Sequence, residues 1–247
     1  PDVEAQRDLM AEHGVEIMGL QEVDNQTTRN PYDVVEKFAK DPYVDEYYTN
    51  CIGFQGGEYG IAIISQYELQ DESETKLFSD LYQGEELKEA YANNDPDDPA
   101  SEEALNAVSE KGPVEPRYYQ RVVFEKNGKK IAFYNTHLSY EDMELRAQQM
   151  QTLKEALDND SCEYKIIVGD FNATQSTREF DLFKDEYSIS NGKDGKWLDT
   201  FNGTDDTMNV NSVDNVIVSK NITINKVQML DSKLSDHNPM VVELTLN

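Results

Sequence analysis

The apolar positions of this chain follow helical spacing in some stretches and form short continuous runs in others, and the two alternate along the sequence. Val3, Leu9 and Met10, set among charges, predict a helix over 3–13 that Gly14 stops. Val15 to Leu20 then reads as a short strand running into Gln21-Glu22. A helix followed by a strand points to an α/β layer rather than an all-β fold. Pro31 opens a second predicted helix, with Val34, Val35 and Phe38 on its inner side. Gly60 to Ser65 is apolar throughout and bounded by Gly and polar residues, the signature of a buried strand.

Residues 71–116 break this pattern. They are acidic, carry Asn94-Asp95-Pro96-Asp97-Asp98-Pro99, and show helical patterning only around Glu102 to Val108. The stretch reads as a surface insertion between two sheet strands, inside one domain spanning 1–247. Order returns at Tyr118 to Glu125, where Asn127-Gly128 turns the chain into Lys130 to Thr136, a hairpin with the preferred turn dipeptide. Met143, Met150, Leu153 and Leu157 give Glu141 to Leu157 helical spacing, and Tyr164 to Val168 is a further strand closing on Gly169-Asp170. Val213 to Val218, Ile222 to Leu230 and Met240 to Leu246 complete the strands, without repeats or heptads. The resulting expectation is two mixed sheets with helices outside.

Composition narrows the chemistry. Lys and Arg total 22 against 49 Asp and Glu, a formal charge of −27 over 247 residues. Such a surface repels polyanions and weighs against tight, non-specific binding of duplex nucleic acid. A bound divalent cation can still invert the field locally, so a phosphate substrate is compatible with it. With only Cys51 and Cys162, a disulfide framework and a Cys/His metal cluster are excluded. No apolar run approaches the roughly 20 residues of a membrane span. Pro1 without an initiator Met points to a start that has been removed or is disordered, and no compartment is assigned.

Five segments place acids, amides or histidines at predicted strand ends, where loops gather side chains into one site. They are Gln21-Glu22, Thr136-His137-Leu138, Gly169-Asp170-Phe171-Asn172, Val213-Asp214-Asn215 and Ser235-Asp236-His237. Hard cations take oxygen ligands, which Glu22, Asp170, Asn172 and Asp236 supply. A phosphoester needs its charge neutralised, a water activated and a leaving oxygen stabilised, and a metal with carboxylate and imidazole covers all three. Singly each segment has an ordinary reading: a solvated acid, a polar turn, a hydrogen-bonded structural histidine.

In their order along the chain, from about Val15 to Leu246, these segments resemble the motifs of the DNase I-like endonuclease/exonuclease/phosphatase superfamily. The resemblance implies a four-layered α/β/β/α sandwich of two mixed sheets flanked by helices. It implies a hydrolase dependent on Mg2+, Mn2+ or Ca2+, with Glu22 the principal metal carboxylate and Asp236 a second. Asp170 and Asn172 would orient the attacking water and the scissile phosphate. His237, held by Asp214, would act as general base or phosphate-stabilising group. His137 would contact the phosphate or assist the leaving group, with Glu58 as its carboxylate partner, and Arg117 would meet the phosphate oxygens with its fork.

Family members usually begin with a strand ending in an asparagine, whereas this chain opens at the first helix; trimming or disorder is the expected reason. The substrate is left open among a small molecule, a lipid headgroup and nucleic acid, and a monomer is expected. Two other readings stand beside the general phosphoesterase: a nuclease proper, and a silent binding module that kept the fold but lost its metal.

Overall fold

The structure is a computed structural model that describes residues 1–78, 92–94, 98–109, 115–202 and 211–247. In chain order it begins with α1 (Val3–Glu12), β1 (Ile17–Asn25), α2 (Val34–Phe38), β2 (Asp45–Phe54) and β3 (Gly57–Ser65). The three strands form an antiparallel sheet in the order β1-β3-β2. Next come β4 (Gln70–Lys76), α3 (Pro99–Ser109), β5 (Tyr118–Lys126), β6 (Lys129–His137), α4 (Met143–Asn159), β7 (Tyr164–Asp170), β8 (Tyr187–Ile189) and β9 (Asp214–Ser219). Their strands build a six-stranded sheet in the order β4-β5-β6-β7-β9-β8, parallel between β6 and β7 and antiparallel elsewhere. A hairpin of β10 (Ile222–Met229) and β11 (Met240–Leu246) forms a separate pair.

The period-2 alternation of strand side chains turns these sheets into layers. On β3, Ile63 faces inward onto Val122, Phe124, Ile131 and Phe133 of the larger sheet, with Ile222 and Ile224 of β10 completing that core. The intervening Ala62 and Ile64 face the other way, onto Val3 of α1 and Val34, Val35 and Phe38 of α2. On β6, Ala132 and Tyr134 turn outward onto Met150, Leu153 and Leu157 of α4. Helices, sheet, sheet and helix thus stack in four layers, as the resemblance implies. The two cysteines are free, and among the described residues no helix is long and apolar enough to cross a membrane.

Polar groups register the two sheets. Asn135, wholly buried, donates to the Leu20 and Ala62 carbonyls of the first sheet and to the Gln120 side chain beside it. Its own oxygen accepts from Gln21 at 2.7 Å. Gly19 is required at this crossing, because a Cβ there would fall 2.4 Å from Asn135 and 2.5 Å from Val168.

Three strands escape the hydrophobic pattern. Gln70–Lys76, which patterning assigns to the insertion beginning at 71, is β4 and pairs with β5. It is an edge strand exposed along its length, so it has no buried face to produce alternation. β2 is half-buried at most positions, and β8 is only three residues long. The helical patterning around Glu102 to Val108 falls within α3, while most of the rest of the stretch 79–114 lies outside the described residues. The helix expected from Pro31 starts later, at Val34, where the Asp33 side chain accepts from Glu36 N.

Candidate active site

Register in the larger sheet sets the site. β6 and β7 run parallel with His137 beside Asp170, and β7 runs antiparallel to β9 with Asp170 opposite Asp214. His137, Asp170 and Asp214 therefore stand in a row across three adjacent strand ends. Gly169 permits the close pairing: a Cβ would lie 2.1 Å from the Thr136 carbonyl oxygen. His237 reaches the row from the loop after β10, where Phe201 bridges to it and Asn202 N donates to the Asp236 carbonyl at 2.7 Å.

His237 Nδ1 lies 2.8 Å from Asp214 Oδ2, which leaves its Nε2 3.8 Å from Asp170 Oδ2. His137 Nε2 stands 3.6 Å from the same oxygen, so Asp170 sits between two imidazoles. Burial, together with the Asp214 charge, raises the Asp170 pKa to about 7 despite both histidine and arginine neighbours. Burial alone would lower the His237 pKa, but the Asp214 hydrogen bond and the charges of Asp214, Asp170 and Asp236 outweigh it and raise it to about 9. His137 titrates well below the ordinary histidine range, because it is buried and sits beside the Arg117 cation and His237.

Arg117 is 4% exposed, and its Nη1 donates to His137 Nδ1 at 2.8 Å and to Glu115 Oε1 at 3.0 Å. The same Nη1 lies 3.2 Å from His137 Nε2, and because arginine only donates, the imidazole is the acceptor in this contact. The partner of His137 is thus Arg117, not Glu58 as the resemblance implies. Glu58 instead accepts from the Asn25 side chain at 3.3 Å. The pleat explains the difference: Tyr59 lines the cleft with Arg117 and His137, which leaves the adjacent Glu58 on the opposite face. Arg117 Nε is buried without a hydrogen-bond partner among the described residues.

Glu22 occupies a bulge of β1, between Leu20 and Val23, with a positive φ of 57°. A bulge re-aims a side chain, and a non-glycine residue in the left-handed region marks local strain that surrounding structure must hold. Its exposed carboxylate lies beside the Tyr59 hydroxyl, whose pKa burial and the Glu22 charge both raise. Glu115, pushed up by burial and by the charges of Glu22 and Glu141, links this end of the cleft to Arg117. Asn172 also has a positive φ, 49°, and its side chain donates to the Leu138 carbonyl at 2.8 Å, tying together the segments that follow Asp170 and His137. Asp236 is exposed and borders His237.

Oxygens of Asp170 and Asp214 and a His237 nitrogen all lie within 4.8 Å of one another. Two carboxylates, one of them buried with a raised pKa, make a donor set that fits a hard divalent cation. Glu22 and Asp236, the expected metal carboxylates, stand outside this trio: Glu22 neighbours Tyr59 and Asp236 neighbours His237. Tyr59 and Glu115 escaped the motif reading. Glu115 lies two residues before Arg117, the extended-chain spacing that shares a face, which is the signal that could have found it.

The chain is similar to three solved structures of this architecture. An endonuclease/exonuclease/phosphatase from Bacteroides vulgatus aligns with a TM-score of 0.68 at 18% identity, over 99% of this chain and 90% of that one. A mannosyl-6-phosphatase from Bacteroides thetaiotaomicron gives 0.65 at 20% identity, over 98% and 90%. The human nocturnin catalytic domain, with a bound sulfate anion, gives 0.65 at 14% identity, over 100% and 87%. A comparison with curated protein sequences gives no match. The sequence profile of the endonuclease/exonuclease/phosphatase family matches residues 2–237, and the chain belongs to that family.

Proposed function

We propose that this protein is a divalent-metal-dependent hydrolase of a small phosphoester. The row of His137, Asp170 and the Asp214–His237 pair carries this reading, because it gathers at adjacent strand ends groups that bind, orient and exchange protons. Glu22 and Asp236 would hold Mg2+ or Mn2+ together with Asp170. When bound, the cation supplies charge neutralisation at the phosphate.

The residues of the chain do the rest. Asp170, between the two imidazoles, orients the attacking water. Asp214 fixes the tautomer and direction of His237, whose Nε2 faces the reacting phosphate and moves a proton at that atom. His137, kept neutral beside Arg117, would contact the phosphate or assist the leaving oxygen, and Arg117 would support the phosphate charge through its contact with that imidazole. Asn172 ties the chain after Asp170 to the chain after His137.

The charge of −27 favours a small substrate over a polyanion, and the mannosyl-6-phosphatase likeness supports a phosphorylated small molecule. Hydrolysis of p-nitrophenyl phosphate, bis-p-nitrophenyl phosphate and plasmid DNA with Mg2+ and Mn2+ tests the reading. Metal-dependent turnover of a small ester above that of DNA is the expected result. Preferential cleavage of plasmid would make the protein a nuclease, and no turnover with no metal binding would make it a silent module.

A further inference from the structure

Beside the catalytic cleft, the loop after β1 places a second cation. Asp24, 3% exposed, accepts from Thr27 Oγ1 at 3.0 Å, from Arg29 Nε at 2.6 Å, from Arg29 Nη2 at 2.8 Å and from the Asn30 side chain. The Arg29 guanidinium stacks over Phe54 at 4.8 Å and borders the Tyr59 ring at 5.8 Å. The loop itself is pinned to the β2–β3 turn through Thr28 N and Oγ1 to the Gln55 carbonyl, and through Arg29 N to the Gln55 side chain.

Arg29 is built as a presented group. Thr27 and Asn30 both donate to Asp24 Oδ2 and Arg29 Nη2 donates to Oδ1, while the Thr28 contacts close the loop without the Arg29 side chain. The Arg29 side chain is nevertheless 48% exposed, and its Nη1 has no hydrogen-bond partner among the described residues. An exposed arginine normally keeps its rotamer freedom; this one has lost it to a bidentate carboxylate and an aromatic face. That loss is what preorganises a group for a ligand. Its charge is felt at Glu22, and Tyr59 touches both residues, so Arg29 belongs to the rim of the same cleft. Arg117, by contrast, is enclosed.

We propose that Arg29, set by Asp24 and Phe54, is a subsite for a second anionic group of the substrate, so that the preferred esters carry a phosphate or carboxylate besides the scissile phosphate. This rests on the phosphoesterase reading of the adjoining cleft. A planar guanidinium with a free Nη1 edge donates to an anion oxygen with good geometry, and its placement offsets the acid excess at the point where a doubly charged ligand enters.

The test compares binding of glucose 6-phosphate and glucose 1,6-bisphosphate, with inorganic phosphate as reference, by calorimetry and thermal shift in Mg2+. The unmodified chain should bind the bisphosphate about tenfold more tightly than the monophosphate, and Arg29→Gln should abolish that preference. Arg29→Lys should restore part of it. Phe54→Leu keeps the ion pair and should lower the preference without removing phosphate binding, which decides the matter if Arg29→Gln does not fold. A chain that binds phosphate without preferring the bisphosphate overturns the subsite alone. So does an Arg29→Gln protein that is less thermostable and weakens both sugars equally, since that marks a purely structural ion pair. Failure of all three ligands to bind sinks the phosphoesterase reading and the subsite with it.

Discussion

Asp214 Oδ2 accepts from His237 Nδ1 at 2.8 Å, joining the first residue of β9 to a loop residue 23 positions later. The bond leaves one imidazole nitrogen for chemistry and fixes where it points. His237→Ala is therefore expected to lower kcat by about 10²–10⁴-fold with the fold intact, the range for a positioned acid-base group. Asp214→Asn should lose less. The double variant should be no slower than His237→Ala, because both act through one imidazole. Steady-state kinetics with circular dichroism checks this; independent, multiplicative losses would separate the two residues.

Arg117 is the second organising residue, through its bond to His137 Nδ1. Arg117→Met removes that donor and leaves the half-buried Glu115 carboxylate without its cation. Turnover should fall by about tenfold or more, and thermal stability should fall with it, since a half-buried charge loses its partner. Glu58→Gln should change turnover far less, because Glu58 meets Asn25 rather than His137. A larger loss in Glu58→Gln than in Arg117→Met would reverse this assignment.

Away from the cleft, Arg121 forks onto Asp160 at 2.6 and 3.1 Å, and Tyr134 and Cys162 N donate to the same carboxylate. Burial would raise the Asp160 pKa, but the bonds from Arg121, Tyr134 and Cys162 outweigh it and depress it from 3.8 to about 2. A carboxylate with a depressed folded pKa stabilises the fold above its unfolded pKa and loses that contribution as pH falls through the folded value. Asp160→Asn should thus cost about 2 kcal/mol at pH 7, and the difference from the unmodified chain should shrink between about pH 4 and pH 2. Urea unfolding across that range measures it; a pH-independent difference would assign the loss to packing.

The buried strands and the row of candidate site residues were readable because both leave local marks. GIAIIS and the residues following Tyr164 are apolar runs, and Thr136-His137 and Gly169-Asp170 end strands with polar groups. The register that puts His137 beside Asp170 is a long-range property, and the motifs supplied only its ingredients. β4 was hidden because an exposed edge strand has no apolar face. The Arg117–His137 contact was hidden for a different reason: nothing local says which face of the pleat Glu58 and Tyr59 take. Arg29 was missed because its meaning comes from Phe54, 25 residues away on another strand.

The central claim, that the cleft is a metal-dependent phosphoesterase centre with Glu22 among its ligands, is most directly tested by titrating Mg2+ into p-nitrophenyl phosphate hydrolysis for the unmodified chain and Glu22→Gln. The unmodified chain should show saturable metal activation, and Glu22→Gln should need far more Mg2+ or lose turnover while its melting temperature without metal is unchanged. An identical Mg2+ dependence in both proteins would contradict the assignment of Glu22, and turnover indifferent to a chelator would contradict the metal-dependent centre itself.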